Sequence, residues 1–242
     1  MADRDPGPVR AIVLADGTAP ARADLDAAWP GWDAGISLVV AADGGARLAE
    51  PLGLRIDRWV GDGDSLGPAA IDALRAAGVP VTLAPPDKDE SDTELAVLEA
   101  VEAGATDLTI LGALGGRRLD HALANVALLA HHALVGRSAR LLDAGTRITM
   151  LSGGASDVTG DGAAATAERR FDGRAGDLVS LFPYAGTAEG VTTEGLRYPL
   201  HDEPLHLGPA RGLSNVRLGS SATVSVRRGR LLIVESPATF SE

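Results

Sequence analysis

The chain contains no cysteine, so disulfides and thiolate chemistry are excluded from the outset. Positive charge is scarce: 22 Lys and Arg stand against 33 Asp and Glu, a net charge of −11. Nucleic acid and anionic membranes both require a basic surface, so neither is expected as a partner. Lysine is almost missing. Lys88 stands alone among arginines, a bias that GC-rich coding explains together with the heavy use of Ala and Gly. Long apolar runs are missing as well. Met1–Pro8 is polar and has no signal-peptide core, and no segment approaches the roughly 18 apolar residues of a membrane-spanning helix. These absences lead to the expectation of a cytoplasmic protein. Neither Gly-x-x-x-x-Gly-Lys-Ser/Thr nor Gly-x-Gly-x-x-Gly occurs, which removes P-loop enzymes and the dinucleotide fingerprint.

What is present is an ordinary globular composition, 45% apolar and 23% charged over 242 residues with mean hydropathy +0.08. That length suits one large domain or two modest ones. Arg10–Ala15, Ser37–Ala42, Trp59–Gly61 and Leu108–Gly112 read as short strands. Helical stretches lie between them. Ser91 to Ala103 is one, opened by a Ser91/Glu94 capping box. Asp120 to His131 is another, apolar nearly all round at Leu123, Val126, Ala127 and Leu128, and so expected to be buried. The alternation predicts an α/β domain over residues 1–145 built on a mostly parallel sheet. Such sheets bind ligands at the carboxyl ends of their strands.

Past Asp143 the pattern changes to short apolar runs: Ile148–Leu151, Leu178–Pro183, Gly190–Thr193, Leu196–Leu200, Ala222–Val226 and Leu231–Glu235. Arg228–Gly229 reads as the turn between the last two. This predicts an all-β, sandwich-like domain over 146–242. Ser152–Glu168, rich in Gly, Ala, Asp and Thr, reads as a mobile loop.

Four acidic motifs follow or adjoin the strands of the first domain. They are Asp43-Gly44-Gly45, Gly61-Asp62-Gly63-Asp64-Ser65, Asp87-Lys88-Asp89-Glu90-Ser91-Asp92-Thr93, and Gly112-Ala113-Leu114-Gly115-Gly116-Arg117-Arg118-Leu119-Asp120-His121. Carboxylates at the ends of several parallel strands converge on one crevice, where each raises its neighbours' pKa. A hard cation resolves that conflict: Mg²⁺ takes one or two carboxylates, plus waters and substrate phosphates. Adjacent glycines let backbone N–H groups approach phosphate oxygens, and Arg117 or Arg118 can hold a phosphate as a bidentate fork. Taken singly, each motif is compatible with turn or capping chemistry; the four together at strand ends are not. Asp16-Gly17, after the first strand, reads as an ordinary turn.

The ordered set resembles the thiamine pyrophosphokinase family, whose members carry Asp-Gly-Gly, Gly-Asp-x-Asp-Ser, Lys-Asp-x-Thr/Ser-Asp and Gly-Gly-Arg-x-Asp-His in this order. Thr192–Leu200 is similar to the family's Thr-x-Gly-Leu-x-aromatic segment, and Gly212-Leu213-Ser214-Asn215 to its Ser-Asn thiamine element. The likeness covers about residues 35 to 235. It implies an ATP-dependent diphosphotransferase acting on the hydroxyl of thiamine, as a homodimer with active sites between subunits. On that resemblance Asp62, Asp64 and Asp92 bind Mg²⁺. Asp43, Gly44, Gly45, Lys88, Thr93, Gly115, Gly116 and His121 surround ATP, Arg118 grips its phosphates, and Asp120 completes the acidic site. Ser214 and Asn215, from the partner subunit, contact the aminopyrimidine ring. Two departures stand out. One extra residue separates Gly116 from Asp120, so counting back from Asp120 selects Arg118 and counting forward from Gly116 selects Arg117. Leu231-Leu232-Ile233 also lies where some members place a tryptophan, which leaves Tyr198 as a candidate ring partner.

The implied chemistry has the thiamine hydroxyl attack the β-phosphorus of ATP with AMP leaving, and either Asp92 or Asp64 accepting the proton. His121 and Asn125 share a helix face, with direct or packing roles both open. His131, His132, His201 and His206 show no metal-site spacing, and Trp29, Trp32 and Trp59 read as packing residues. Two other readings share the acidic motifs: a pyrophosphokinase for a hydroxymethyl pterin, and a non-catalytic nucleotide or metal sensor.

Overall fold

The computed structural model describes residues 8–116, 118–154 and 166–240. Arg117, the polar start of the chain and the middle of the expected 152–168 loop lie outside the described residues. By its contacts the chain divides into Met1–Ala144 and Gly145–Glu242.

The first unit is a six-stranded sheet among the described residues. Its strands are β1 (Val9–Leu14), β2 (Leu38–Ala42), β3 (Arg58–Gly61), β4 (Val81–Leu83), β5 (Ala105–Leu111) and β6 (Ser138–Asp143). All neighbouring pairs are parallel and the order is β4-β3-β2-β1-β5-β6. All five residues of β2 are buried, as are the last four of β1. Continuous apolar strands of this kind need cover on both faces, and crossover helices supply it. The helices are α1 (Arg22–Ala28), α2 (Ala49–Leu52), α3 (Pro68–Ala76), α4 (Asp92–Glu102) and α5 (Leu119–Leu128). The chain moves outward from β1 to β4, then crosses to the far side of β1 for β5 and β6. The reversal between β1 and β5 opens a crevice at the strand ends, the usual ligand position in an open α/β sheet.

Ser91 caps α4 as its spacing predicts: its Oγ accepts the Glu94 N–H at 3.1 Å. The reciprocal half of the box is not made. The Glu94 carboxylate instead faces His131 Nε2 at 3.4 Å. The expectation for α5 needs correction. Leu119 and Leu123 are 72% and 61% exposed, Ala127 is exposed, and only Asn125 and Leu128 are buried. An apolar composition all round did not bury the helix, because it packs inward only through the side that carries Asn125 and Leu128.

In the second unit β7 (Thr146–Gly153), β13 (Arg228–Ser236), β9 (Leu178–Glu194), β12 (Ser221–Val226) and β8 (Ala167–Asp172) follow in that order, with β10 (Glu203–Leu205) and β11 (Asn215–Val216) also paired to β9. All of these pairings are antiparallel. β9 pairs with β13 through residues 178–184 and with β12 through residues 192–194, so a single strand serves both layers. Leu151, Leu231 and Ile233 from one layer meet Phe171, Val224 and Val226 from the other in the core. The two runs Leu178–Pro183 and Gly190–Thr193 are therefore one 17-residue strand. Leu196–Leu200 forms no strand beyond a single bridge from Leu196 to Arg217. Arg228 and Gly229 belong to β13, and the reversal falls on Arg227. Ser152 and Gly153 extend β7, and Ala167 and Glu168 begin β8.

Candidate active site

The loops at the carboxyl ends of the parallel strands enclose a cleft of about 540 Å³. β2 leads into Asp43, which opens a 3₁₀ turn over Asp43–Leu48. β3 leads into Asp62-Gly63-Asp64, and the Ser91 cap sets Asp92 and Thr93 at the first turn of α4. Three carboxylates converge there: one oxygen each from Asp43, Asp62 and Asp92 lie within 4.8 Å of one another.

The three are not alike electrostatically. Asp43 is 2% exposed, and burial pushes its carboxyl up. The Ser65 and Leu66 N–H groups, donating at 3.0 and 3.2 Å, pull against that push, while Asp64 and Asp92 add to it. Asp62 is held down, chiefly by the Asp64 N–H donating at 3.0 Å and then by Lys88. Lys88 stands 2.8 Å from Asp92 Oδ1 and 3.7 Å from Asp62 Oδ2. Its own burial works against its charge, but Asp92 and Asp62 outweigh this and raise it. A single lysine thus offsets part of a three-carboxylate cluster. The donor set is all oxygen, partly buried and short of counter-charge, which suits a hard divalent cation.

Other expected residues take definite places. Lys88, Thr93, Gly115, Gly116, Arg118 and His121 line the cleft with Asp43 and Asp92. Gly115 and Gly116 both have φ near +80° (78° and 86°), a conformation that glycine adopts without strain. Arg118 caps α5 from an extended backbone and pairs with Asp120, whose carboxyl it holds well below the usual range. Both side chains are more than 60% exposed, and Asp120 is not part of the three-carboxylate group. Asp64 is exposed and also outside that group, its Oδ1 accepting the Ser65 hydroxyl at 3.1 Å. Gly44 and Gly45 do not line the cleft but are buried. A Cβ at Gly44 would fall 2.3 Å from the Asp16 carboxylate, and one at Gly45 would fall 2.1 Å from the Leu14 carbonyl. The missing side chains let the Asp16 carboxylate and the end of β1 approach this turn closely.

Asp16, read as turn chemistry from the sequence, lines the cleft and lies 3.6 Å from Arg47. Its position after the first strand was the available signal. Asn125 also reaches the cleft, where its amide donates to the Ala113 carbonyl at 2.9 Å and ties α5 to the glycine loop.

In the second unit Ser214 is exposed with φ +54°. Asn215 is 8% exposed. Its Oδ1 accepts the Tyr198 N–H at 2.9 Å and its Nδ2 donates to the Tyr198 carbonyl at 2.7 Å. Asn215 therefore clamps the backbone of Tyr198, whose ring is 57% exposed.

Residues 32–139 match the family model described as "Thiamin pyrophosphokinase, catalytic domain", and residues 168–231 the one described as "Thiamin pyrophosphokinase, vitamin B1 binding domain". The thiamine pyrophosphokinase of Bacillus subtilis (strain 168) is 28% identical over 176 residues, 73% of this chain and 76% of that protein. The crystal structure of thiamine pyrophosphokinase from Bacillus subtilis superposes with a TM-score of 0.76 at 26% identity, covering 94% of this chain and 99% of that one. The crystal structure of thiamin pyrophosphokinase from Geobacillus thermodenitrificans gives a TM-score of 0.71 at 30% identity, over 94% and 97% of the two chains.

Proposed function

The chain belongs to the thiamin pyrophosphokinase family, and from that premise we propose how its residues divide the work of the family's reaction. It transfers diphosphate from ATP to the hydroxyl of thiamine, giving thiamine diphosphate and AMP. The observation that carries the assignment of roles is the convergence of Asp43, Asp62 and Asp92 beside Lys88 at the strand ends.

Asp62 and Asp92, with Asp43, would hold Mg²⁺. When bound, the ion neutralises phosphate charge and stabilises the charge that develops as AMP departs. The protein's own groups do the rest. The N–H groups of Gly115 and Gly116 and the guanidinium of Arg118, all lining the cleft, bind phosphate oxygens. Lys88, released from part of its pairing with Asp62 and Asp92, adds a further positive charge. Asp64 is the base, because it is exposed and lies outside the three-carboxylate cluster. It takes the hydroxyl proton as the thiamine oxygen bonds to the β-phosphorus, and the bond from that phosphorus to the bridging oxygen of AMP breaks.

The reading extends to a cytoplasmic homodimer in which one copy supplies Ser214 and Asn215 toward the other's cleft. Ser214 makes the contact with thiamine and Asn215 acts through the Tyr198 backbone that it clamps. No helix among the described residues is long and apolar enough to cross a membrane. The test is to incubate the purified protein with thiamine, ATP and Mg²⁺ and follow thiamine diphosphate and AMP together. Equal yields of both, abolished by EDTA, support the division of roles. Undiminished turnover in EDTA would remove the cation from it. Sedimentation at increasing concentration tests the dimer.

A further inference from the structure

The tryptophans are three in a chain with 3% aromatic residues, and their indole N–H groups do different things. Trp29 donates to the Asp143 carbonyl and Trp32 to the Asp26 carboxylate. Trp59, on β3 and 1% exposed, donates to the backbone carbonyl of Asp43 at 3.0 Å. An aliphatic residue could fill that core position but could not donate.

Asp43 needs such a restraint. Its φ is +39°, in the left-handed region that non-glycine residues seldom occupy. From there its carboxylate reaches across to the neighbouring loop and accepts the Ser65 and Leu66 N–H groups. Gly61 makes room on one side, since a Cβ there would lie 2.7 Å from the Asp43 Cβ. Trp59 holds the carbonyl. The edge of the same indole, at Cη2, would lie 3.9 Å from a Cβ on Gly63, so the ring touches the segments that carry Asp43 and Asp62.

We propose that Trp59 is a positioning residue that holds Asp43 in its left-handed conformation and thereby sets the carboxylate cluster for a divalent cation. The inference rests on the cation reading given above. Without the indole N–H the Asp43 carbonyl keeps only its bond within the 3₁₀ turn and loses the side-chain donor that ties it to β3. The backbone then relaxes toward an ordinary conformation and carries the carboxylate away from Asp62 and Asp92.

The experiment is Mn²⁺ binding to the full chain without substrates, read from the electron paramagnetic resonance signal of the free ion. Trp59→Phe keeps the ring and removes the N–H, and is expected to weaken binding about five- to tenfold, the size of one lost buried hydrogen bond. Gly61→Ala retains Trp59 but displaces Asp43 by crowding its Cβ, and is expected to weaken binding as well; it carries the test if Trp59→Phe does not fold. In an Asp43→Asn background, Trp59→Phe should add nothing, because its effect runs through Asp43. Trp32→Phe should bind like wild type. Wild-type affinity in both Trp59→Phe and Gly61→Ala, or a full additional loss in the Asp43→Asn background, would overturn the role of Trp59. Equal Mn²⁺ binding by wild type and Asp62→Asn would overturn the cation reading itself.

Discussion

The two units of the molecule bury charge in opposite ways. In the α/β unit, like charges are pressed together: Asp43, Asp62 and Asp92 converge within 4.8 Å with Lys88 as a partial counter-charge. In the β unit, opposite charges are paired, two arginines to one glutamate. Glu235, 3% exposed at its side chain, accepts Arg147 at 2.7 Å and Arg217 at 2.8 Å. Arg217 also donates to the Phe171 carbonyl at 2.8 Å and lies over the Phe171 ring. A network of opposite charges serves the fold, whereas a cluster of like charges is held in place by the fold for something that arrives from outside. The difference separates chemistry from stability, and it can be tested from both sides.

The largest effect is expected on the like-charge side. Asp62→Asn should lower turnover by about 10²–10³-fold, the range for removing one electrostatic stabiliser from an active site. Thermal melting should stay close to wild type, because like-charge crowding falls as one pairing with Lys88 is lost. Large losses of both activity and stability would dissolve the distinction. On the paired side, Glu235→Ala removes the carboxylate that two arginines share. It should destabilise the protein by about 3–5 kcal/mol in urea unfolding, the cost of breaking a buried ion pair by deleting one partner. The KM for ATP of the remaining folded protein should not move.

A pH series sharpens the contrast within the cluster. Asp43 is raised by burial, so its contribution to the stability of the metal-free protein is present on the acid side and lost as pH rises through its raised pKa. Asp62 is lowered by the Asp64 N–H, so its contribution is present above its unfolded pKa and lost as pH falls through the lowered one. A cation needs both groups ionised. Mn²⁺ affinity should therefore decline, as pH falls, at a midpoint above that of an ordinary aspartate, with Asp43 as the limiting group. Titration by equilibrium dialysis across the acidic range checks this. A midpoint at or below the ordinary value would contradict it. The smallest effect belongs to the cap. Ser91→Ala should cost about 1 kcal/mol in thermal unfolding, with a few-fold fall in kcat because α4 sets Asp92 and Thr93 from its first turn.

Much of the α/β unit was legible because its signals are local. β1, β2, β3 and β5 are short apolar runs followed by Asp, Gly or Ser, and Ser91 with Glu94 marks the start of α4. β4 escaped because Val81–Leu83 has only three residues, none of them fully buried. The exposure of Leu123 escaped because periodicity counts apolar residues without knowing how many faces meet a neighbour. In the β unit, β9 looked like two strands because polar residues interrupt a strand that leaves one layer for the other. Among site residues, Asp16 was missed because one Asp-Gly after a strand is ordinary turn chemistry. The Asn215 clamp on Tyr198 was out of reach because 17 residues separate the partners.

By itself the sequence determined the order of acidic motifs along a strand–helix alternation, and so the kind of sheet and the end of it where ligands bind. It did so because burial periodicity and capping depend on neighbours a few residues apart. Which carboxylates meet, which of them is pushed up and which held down, and which tryptophan faces a strained aspartate were decided by the tertiary structure alone. Those properties depend on distances between residues far apart in the chain and on the burial that only packing creates.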